Sequence, residues 1–76
     1  MSKYLIYYNY EIKDSDIDLV IKAEKKTMEV EADTRKSIDT SMIRERIRQI
    51  ANDDCSSPTE HVIHANYYKI EEIKED

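Results

Sequence analysis

The side chains that could carry chemistry are one thiol, two imidazoles and three evenly spaced carboxylates: Cys55, His61, His64, and Asp14, Asp16 and Asp18. A thiol nucleophile needs a histidine within reach and an acid to orient that histidine. Cys55 lies near both histidines along the chain, but no recognised nucleophile–base spacing links them. His61 and His64 are three apart in a stretch that reads as a strand. Period-two alternation then sends them to opposite faces and denies them a shared zinc ion. One cysteine cannot complete a tetrahedral site beside them. The alternating aspartates invite comparison with a calcium loop, where the sixth position must be glycine and the twelfth a bidentate acid. Here those positions are Leu19 and Lys25. The aspartates read instead as turn formers that keep a sheet edge soluble. The expectation is a protein that is not an enzyme and carries no metal or cofactor.

A second group of candidates is basic. Arg44, Arg46 and Arg48 fall in a helix-like run from Ser37 to Asn52, with Arg35 and Lys36 just before it. Arginine suits phosphates and base edges, so this run could support a nucleic-acid-binding regulator. Arg44 and Arg48 share a face at four-residue spacing, whereas Arg46 stands about 200° around the helix from Arg44. Glu45 interrupts the cluster, and the whole chain carries a net charge of −5. A polyanion is repelled by that total, since a nucleic-acid-binding domain is basic overall. The opposite idea, an acidic DNA mimic, would use Asp14, Asp16, Asp18, Glu29, Glu31, Asp33, Glu71, Glu72, Glu75 and Asp76. Lys22, Lys25 and Lys26 break that pattern.

The charge is unevenly spread: −3 over residues 1–33, +3 over 34–52 and −5 over 53–76. Seventy-six residues make a single domain, 1–76, with a thin core, since a chain this short buries only about 60% of its unfolded surface. Charged residues are 38% and apolar ones 39%, a polar balance for a globular domain but not one of disorder. Phe and Trp are absent, so tyrosine and isoleucine must build the sheet. Glycine is absent too, where average usage of roughly 7% would supply about five. Every phosphate loop that needs glycine for close backbone approach is thereby excluded. Turns must rely on Asn, Asp and Ser. A single cysteine, no membrane-length apolar run and no signal-peptide pattern together imply a cytoplasmic protein.

The elements that position these residues follow from periodicity. From Lys3 to Lys13, the residues Tyr4, Ile6, Tyr8, Tyr10 and Ile12 alternate with Leu5, Tyr7, Asn9 and Glu11, so the even set faces the core. Leu5 and Tyr7 make part of the other face apolar, which marks a central strand or one whose outer face meets a partner. After a turn at Lys13–Asp16, Ile17, Leu19, Ile21 and Ala23 alternate as a second strand. A helical reading from Ile17 to Glu24 competes, but alternation straight after a turn favours the strand. Met28, Val30 and Ala32 then alternate in a shifted phase, as a bulged continuation or a third short strand.

The helix that follows bears Ile38, Met42, Ile43, Ile47, Ile50 and Ala51 on one stripe. Thr34, Ser37 and Asp39 can all cap it, and Asn52 can close it in the left-handed conformation. A loop from Asp53 to Thr59 leads to a last strand, His61–Ile70. It carries Ile63, Ala65 and Tyr67 on one face and Val62, His64, Tyr68 and Ile70 on the other, a pattern for an interior strand. Residues 71–76 read as a frayed acidic tail, Ile73 excepted.

The order is ββαβ or βββαβ: an α+β fold with one helix on one face of a three- or four-stranded antiparallel sheet, the last strand beside the first. One helix leaves the second face without cover from within the chain. That face holds Leu5, Tyr7, Val20, Val62, His64 and Tyr68. Tyrosines there suit a binding hot spot, and charged flanks such as Arg44 and Arg48 would set partner choice. The expected partner-binding residues are therefore Leu5, Tyr7, His64, Tyr68, Arg44 and Arg48. The occupant is another protein, or a second copy stacked as a homodimer.

The opening Met1–Tyr10, the Ile-rich helix and the closing Val62-Ile63-His64-Ala65-Asn66-Tyr67 resemble, as architecture, small phage and prophage host-takeover proteins of the anti-CRISPR type. That resemblance implies an inhibitor or adaptor that acts on a host defence or regulatory protein complex in the bacterial cytoplasm. It assigns no individual residue, because such proteins bind by whole surfaces.

Overall fold

The strand β1, Ser2–Asp14, shows why the rest of the chain folds around it. Its even residues Tyr4, Ile6, Tyr8, Tyr10 and Ile12 are all buried, and its odd residues are half-exposed. A strand whose one side is uniformly large and apolar needs a cover on that face. In a computed structural model that describes residues 1–74, β1 is the centre of a three-stranded antiparallel sheet of order β2-β1-β3. The strand β2 is Leu19–Ala32 and β3 is Glu60–Ile73. The cover is the helix α1, Thr40–Asp53, which sets Ile43, Ile47 and Ala51 into the core at successive turns. It lies over β3 and β1, and β2 reaches the core through Met28, Val30 and Ala32.

Local chemistry sets the element ends. Asp39 caps α1, its Oδ1 accepting the N–H groups of Ser41 at 3.1 Å and Met42 at 3.2 Å. Thr34 caps a preceding 3₁₀ turn, Arg35–Ser37, in a reciprocal capping box with Ser37. At its other end α1 runs into Asp54, which is right-handed (φ −84°, ψ −6°). The expected left-handed closure at Asn52 does not form, since the Asp54 N–H already bonds to the carbonyls of Ile50 and Ala51. The left-handed conformation appears instead at Asp18 (φ 54°), in the four-residue turn Ser15–Asp18 that joins β1 to β2. This turn lies further along than the expected Lys13–Asp16. Asp14 Oδ1 accepts the Asp16 N–H at 2.9 Å, Asp18 pairs with Lys13 at 2.6 Å, and Ser15 N–H donates to Thr59 O.

The sheet departs from simple alternation at three bulges. Ile12 pairs with Lys22 and Lys13 with Val20, so Ile21 is extra in β2, ahead of the Lys25–Lys26 position where a phase change was expected. Residues 28–32 are the end of one continuous strand, not a third strand, and Asp33 lies in the bend after it. In β3, Ile63 and Tyr68 are extra. The bulges move Val62 to the helix side with Ala65, Tyr67 and Ile70, which corrects its placement on the open face. They also put His61 opposite Lys13 and His64 opposite Glu11, on one face rather than on opposite faces. The strand β3 is an edge strand, not an interior one; Tyr67 and Ile70 are half-buried because α1 lies above them, and Tyr68 stays exposed. It extends to Ile73, with Glu71 opposite Leu5 and Glu72 opposite Tyr4, so the tail is ordered further than expected. Glu75 and Asp76 lie outside the described residues.

Two burial expectations fail. A fourteen-residue helix spans about 21 Å, whereas a fourteen-residue strand spans about 46 Å. The sheet outruns its lid, and the molecule is 49 Å long but only 20 by 16 Å across. Ile17 and Leu19, alternating as if to enter a core, lie in and just after the turn, past the reach of α1, and are exposed; Ile21 is exposed as the bulged residue, and Val20 lies opposite Lys13 on the open face. Met42 is 67% exposed for a separate reason: it sits on the β2 flank of α1, beside Val30 and Ala32, away from the main contact with β3 and β1.

Candidate docking surface

The sheet face turned away from α1 is built from the odd residues of β1 and their neighbours across the ladder. Tyr7 stands at its centre, opposite Thr27 on β2 and Lys69 on β3. The Tyr68 bulge brings its ring beside Tyr7, with ring centres 6.3 Å apart and planes tilted at 49°. Lys69 Nζ lies 5.0 Å from the centre of the Tyr7 ring and 3.0 Å from Glu71. The Tyr7 hydroxyl donates to the same Glu71 carboxylate at 3.4 Å. That carboxylate, first by hydrogen bond and then by charge, raises the Lys69 ammonium pKa above its ordinary value. Further along, His64 Nε2 sits 2.9 Å from Asn9 Oδ1. Leu5 is half-buried opposite Glu29 and Glu71.

Four of the six expected binding residues, Leu5, Tyr7, His64 and Tyr68, therefore share the open face. Arg44 does not join them, and Arg48 meets only His64, across the β3 edge, and not the tyrosines. The Arg44 guanidinium lies 5.6 Å from the ring centre of Tyr67, which packs on the helix side. Arg48 lines, with Asn52, an open groove of about 520 Å³ beside His61–Asn66 of β3. Arg46 is on the opposite flank of α1, with Met42 and Gln49. The basic helix thus presents two separate flanks, and the sheet stands between the arginines and the tyrosine face. Alternation alone missed Lys69 and Glu71 as members of the face, because the Tyr68 bulge shifts the phase of β3 just before Lys69.

The remaining chemistry-bearing residues are placed as follows. Cys55 Sγ is half-buried, 3.7 Å from the Ala51 carbonyl, and burial pushes its thiol pKa up, away from thiolate reactivity. Among the described residues, no three His, Cys, Asp or Glu side chains converge where they could hold a metal ion. No helix among them is long and apolar enough to cross a membrane. Compared with known proteins, the chain matches no family model, no curated protein and no solved structure.

Proposed function

We propose that this protein is a non-enzymatic protein-binding module, encoded by a phage or mobile element, that docks on a host protein complex as an inhibitor or adaptor. The observation that supports this reading is the open sheet face: Tyr7 and Tyr68 lie ring beside ring on it, and no described segment of the chain covers them. Tyrosines held by neighbours on a rigid sheet give a large contact area at small ordering cost, the composition of a binding hot spot. The Lys69–Glu71 pair and His64 beside them supply a polar rim that selects a partner by charge and hydrogen bonding.

The test is affinity capture from bacterial lysate with the wild-type chain and with a Tyr7→Ser/Tyr68→Ser double variant. The wild type is expected to retain one protein complex in stoichiometric amount, and the variant to lose it while keeping its circular dichroism spectrum. Retention of that complex by the variant, or no complex with the wild type, overturns the reading.

A further inference from the structure

We infer that two copies of this chain pair through the outer edges of their β2 strands, antiparallel and centred on Thr27, to form one six-stranded sheet. The edge is available: β2 ends the sheet, and among the described residues no other segment pairs with its outer side. It is also regular. From Lys22 to Ala32 the strand pairs with β1 without interruption and contains no proline. The other edge, β3, is broken by bulges at Ile63 and Tyr68, a usual defence of an edge against newcomers.

Lysines on an edge strand ordinarily repel a second strand. Here they are segregated. Lys22, Lys25 and Lys26 lie in the first half of the regular run, and Glu29 and Glu31 in the second, with Glu24 the exception. An antiparallel two-fold brings the basic half of one strand against the acidic half of the other. A two-fold normal to the sheet keeps the faces aligned, so it must pass through a residue and not between two. Thr27 is the midpoint of Lys22–Ala32, so centring there engages the whole regular run.

That centre sets Lys25 opposite Glu29 twice and Thr27 opposite itself, both favourable cross-strand pairs. Centring on Lys25, Lys26 or Glu29 instead opposes like charges. Neither Lys25 nor Glu29 makes an ion pair with another described residue, so both are available. Lys22 and Lys26 are engaged within their own protomer, with Asp54 and over the Tyr10 ring, which lowers the repulsion between the approaching strands. The assembly places both open faces side by side on one side of the sheet. It stands or falls independently of what docks there.

Sedimentation equilibrium of the full chain tests the pairing. The wild type is expected to dimerise. Lys25→Glu alone or Glu29→Lys alone is expected to weaken the dimer by about tenfold or more, and the double exchange to restore it. Position is tested separately in a Cys55→Ser background. Thr27→Cys is expected to form an intermolecular disulfide on oxidation, since opposed residues bring their Cα atoms within bridging range. Lys25→Cys is not, because its symmetry mate is roughly 13 Å away along the strand. A chain that stays monomeric up to millimolar concentration, single exchanges without effect, a double exchange that fails to restore, or cross-linking as ready at 25 as at 27 would each overturn the proposal.

Discussion

The Tyr10 hydroxyl donates a 2.6 Å hydrogen bond to Asp54 Oδ2, joining the middle of the central strand to the end of the only α-helix among the described residues. Lys22 Nζ reaches the other oxygen of the same carboxylate at 2.9 Å, so β2 is tied to that point as well. Three elements meet on one aspartate. Tyr10→Phe keeps the buried ring and removes only the donor; it is expected to cost about 1.5–3 kcal/mol, as for a hydrogen bond to a charged group. The loss is read as a lowered urea midpoint with an unchanged denaturant slope, because the core stays packed.

The same trio makes stability pH-dependent at both ends of the scale. The Tyr10 bond and then the Lys22 ammonium hold the Asp54 carboxyl below its usual range. A lowered acid pKa means stability that is full above the unfolded value near 4 and is lost as pH falls through the folded one. Burial, and then the bond to Asp54, raises the Tyr10 phenol well above 10, and the bond to Asp54 raises Lys22. Raised values mean stability that is present below about pH 10 and lost on further rise. Unfolding free energy is therefore expected to fall below pH 4 and above pH 10. Asp54→Asn should flatten the acid limb, and Tyr10→Phe should flatten much of the alkaline one. If both limbs keep their slopes in those variants, other groups carry them.

How far the sequence could be read depends on where packing is one-sided. Tyr4 to Ile12 alternate without interruption because a single cover buries every second residue, and the period survives into the structure. Ile43, Ile47 and Ala51 are legible for the same reason on a helix. The three bulges are not, because one inserted residue inverts the phase and no glycine marks the place. Simple alternation therefore puts Val62 and His61 on the wrong faces. Leu19 shows a second limit: alternation reports that a strand could be half-buried, while the length of the covering helix decides whether it is. At the docking surface, the apolar members Leu5, Tyr7 and Tyr68 were readable. Their polar partners Lys69 and Glu71 depend on the register of β3, which no local pattern encodes.

Core depth along α1 yields a direct comparison. Ile47 is fully buried at the centre of the helix–sheet contact, and Met42, on the same sequence stripe, is mostly exposed. Ile47→Ala is expected to cost about 2–5 kcal/mol through lost transfer energy and the cavity left behind. A chain of this length has roughly 4–11 kcal/mol in total, so the variant should be largely unfolded on modest warming. Met42→Ala should change stability by less than about 0.5 kcal/mol. Thermal melts followed by circular dichroism separate the two. A Met42 effect as large as that of Ile47 would mean that this flank is covered in solution.

The β1–β2 turn tests how the chain manages without glycine. Asp18 sits at φ 54°, a conformation that costs an ordinary L-residue about 1–2 kcal/mol and that aspartate and asparagine tolerate best. It also pairs with Lys13 at 2.6 Å, and that pair holds its carboxyl below the usual range. The Asp18 side chain is 84% exposed, so solvent screens most of the pair's strength. Backbone tolerance is therefore expected to dominate. Asp18→Asn and Asp18→Gly should both stay close to the wild type in urea midpoint, whereas Asp18→Val should lose about 1–2 kcal/mol from its β-branched side chain at positive φ. The three variants rank differently if the ion pair matters more: Asp18→Asn then falls with Asp18→Val, and raising the salt concentration lowers the wild type towards both.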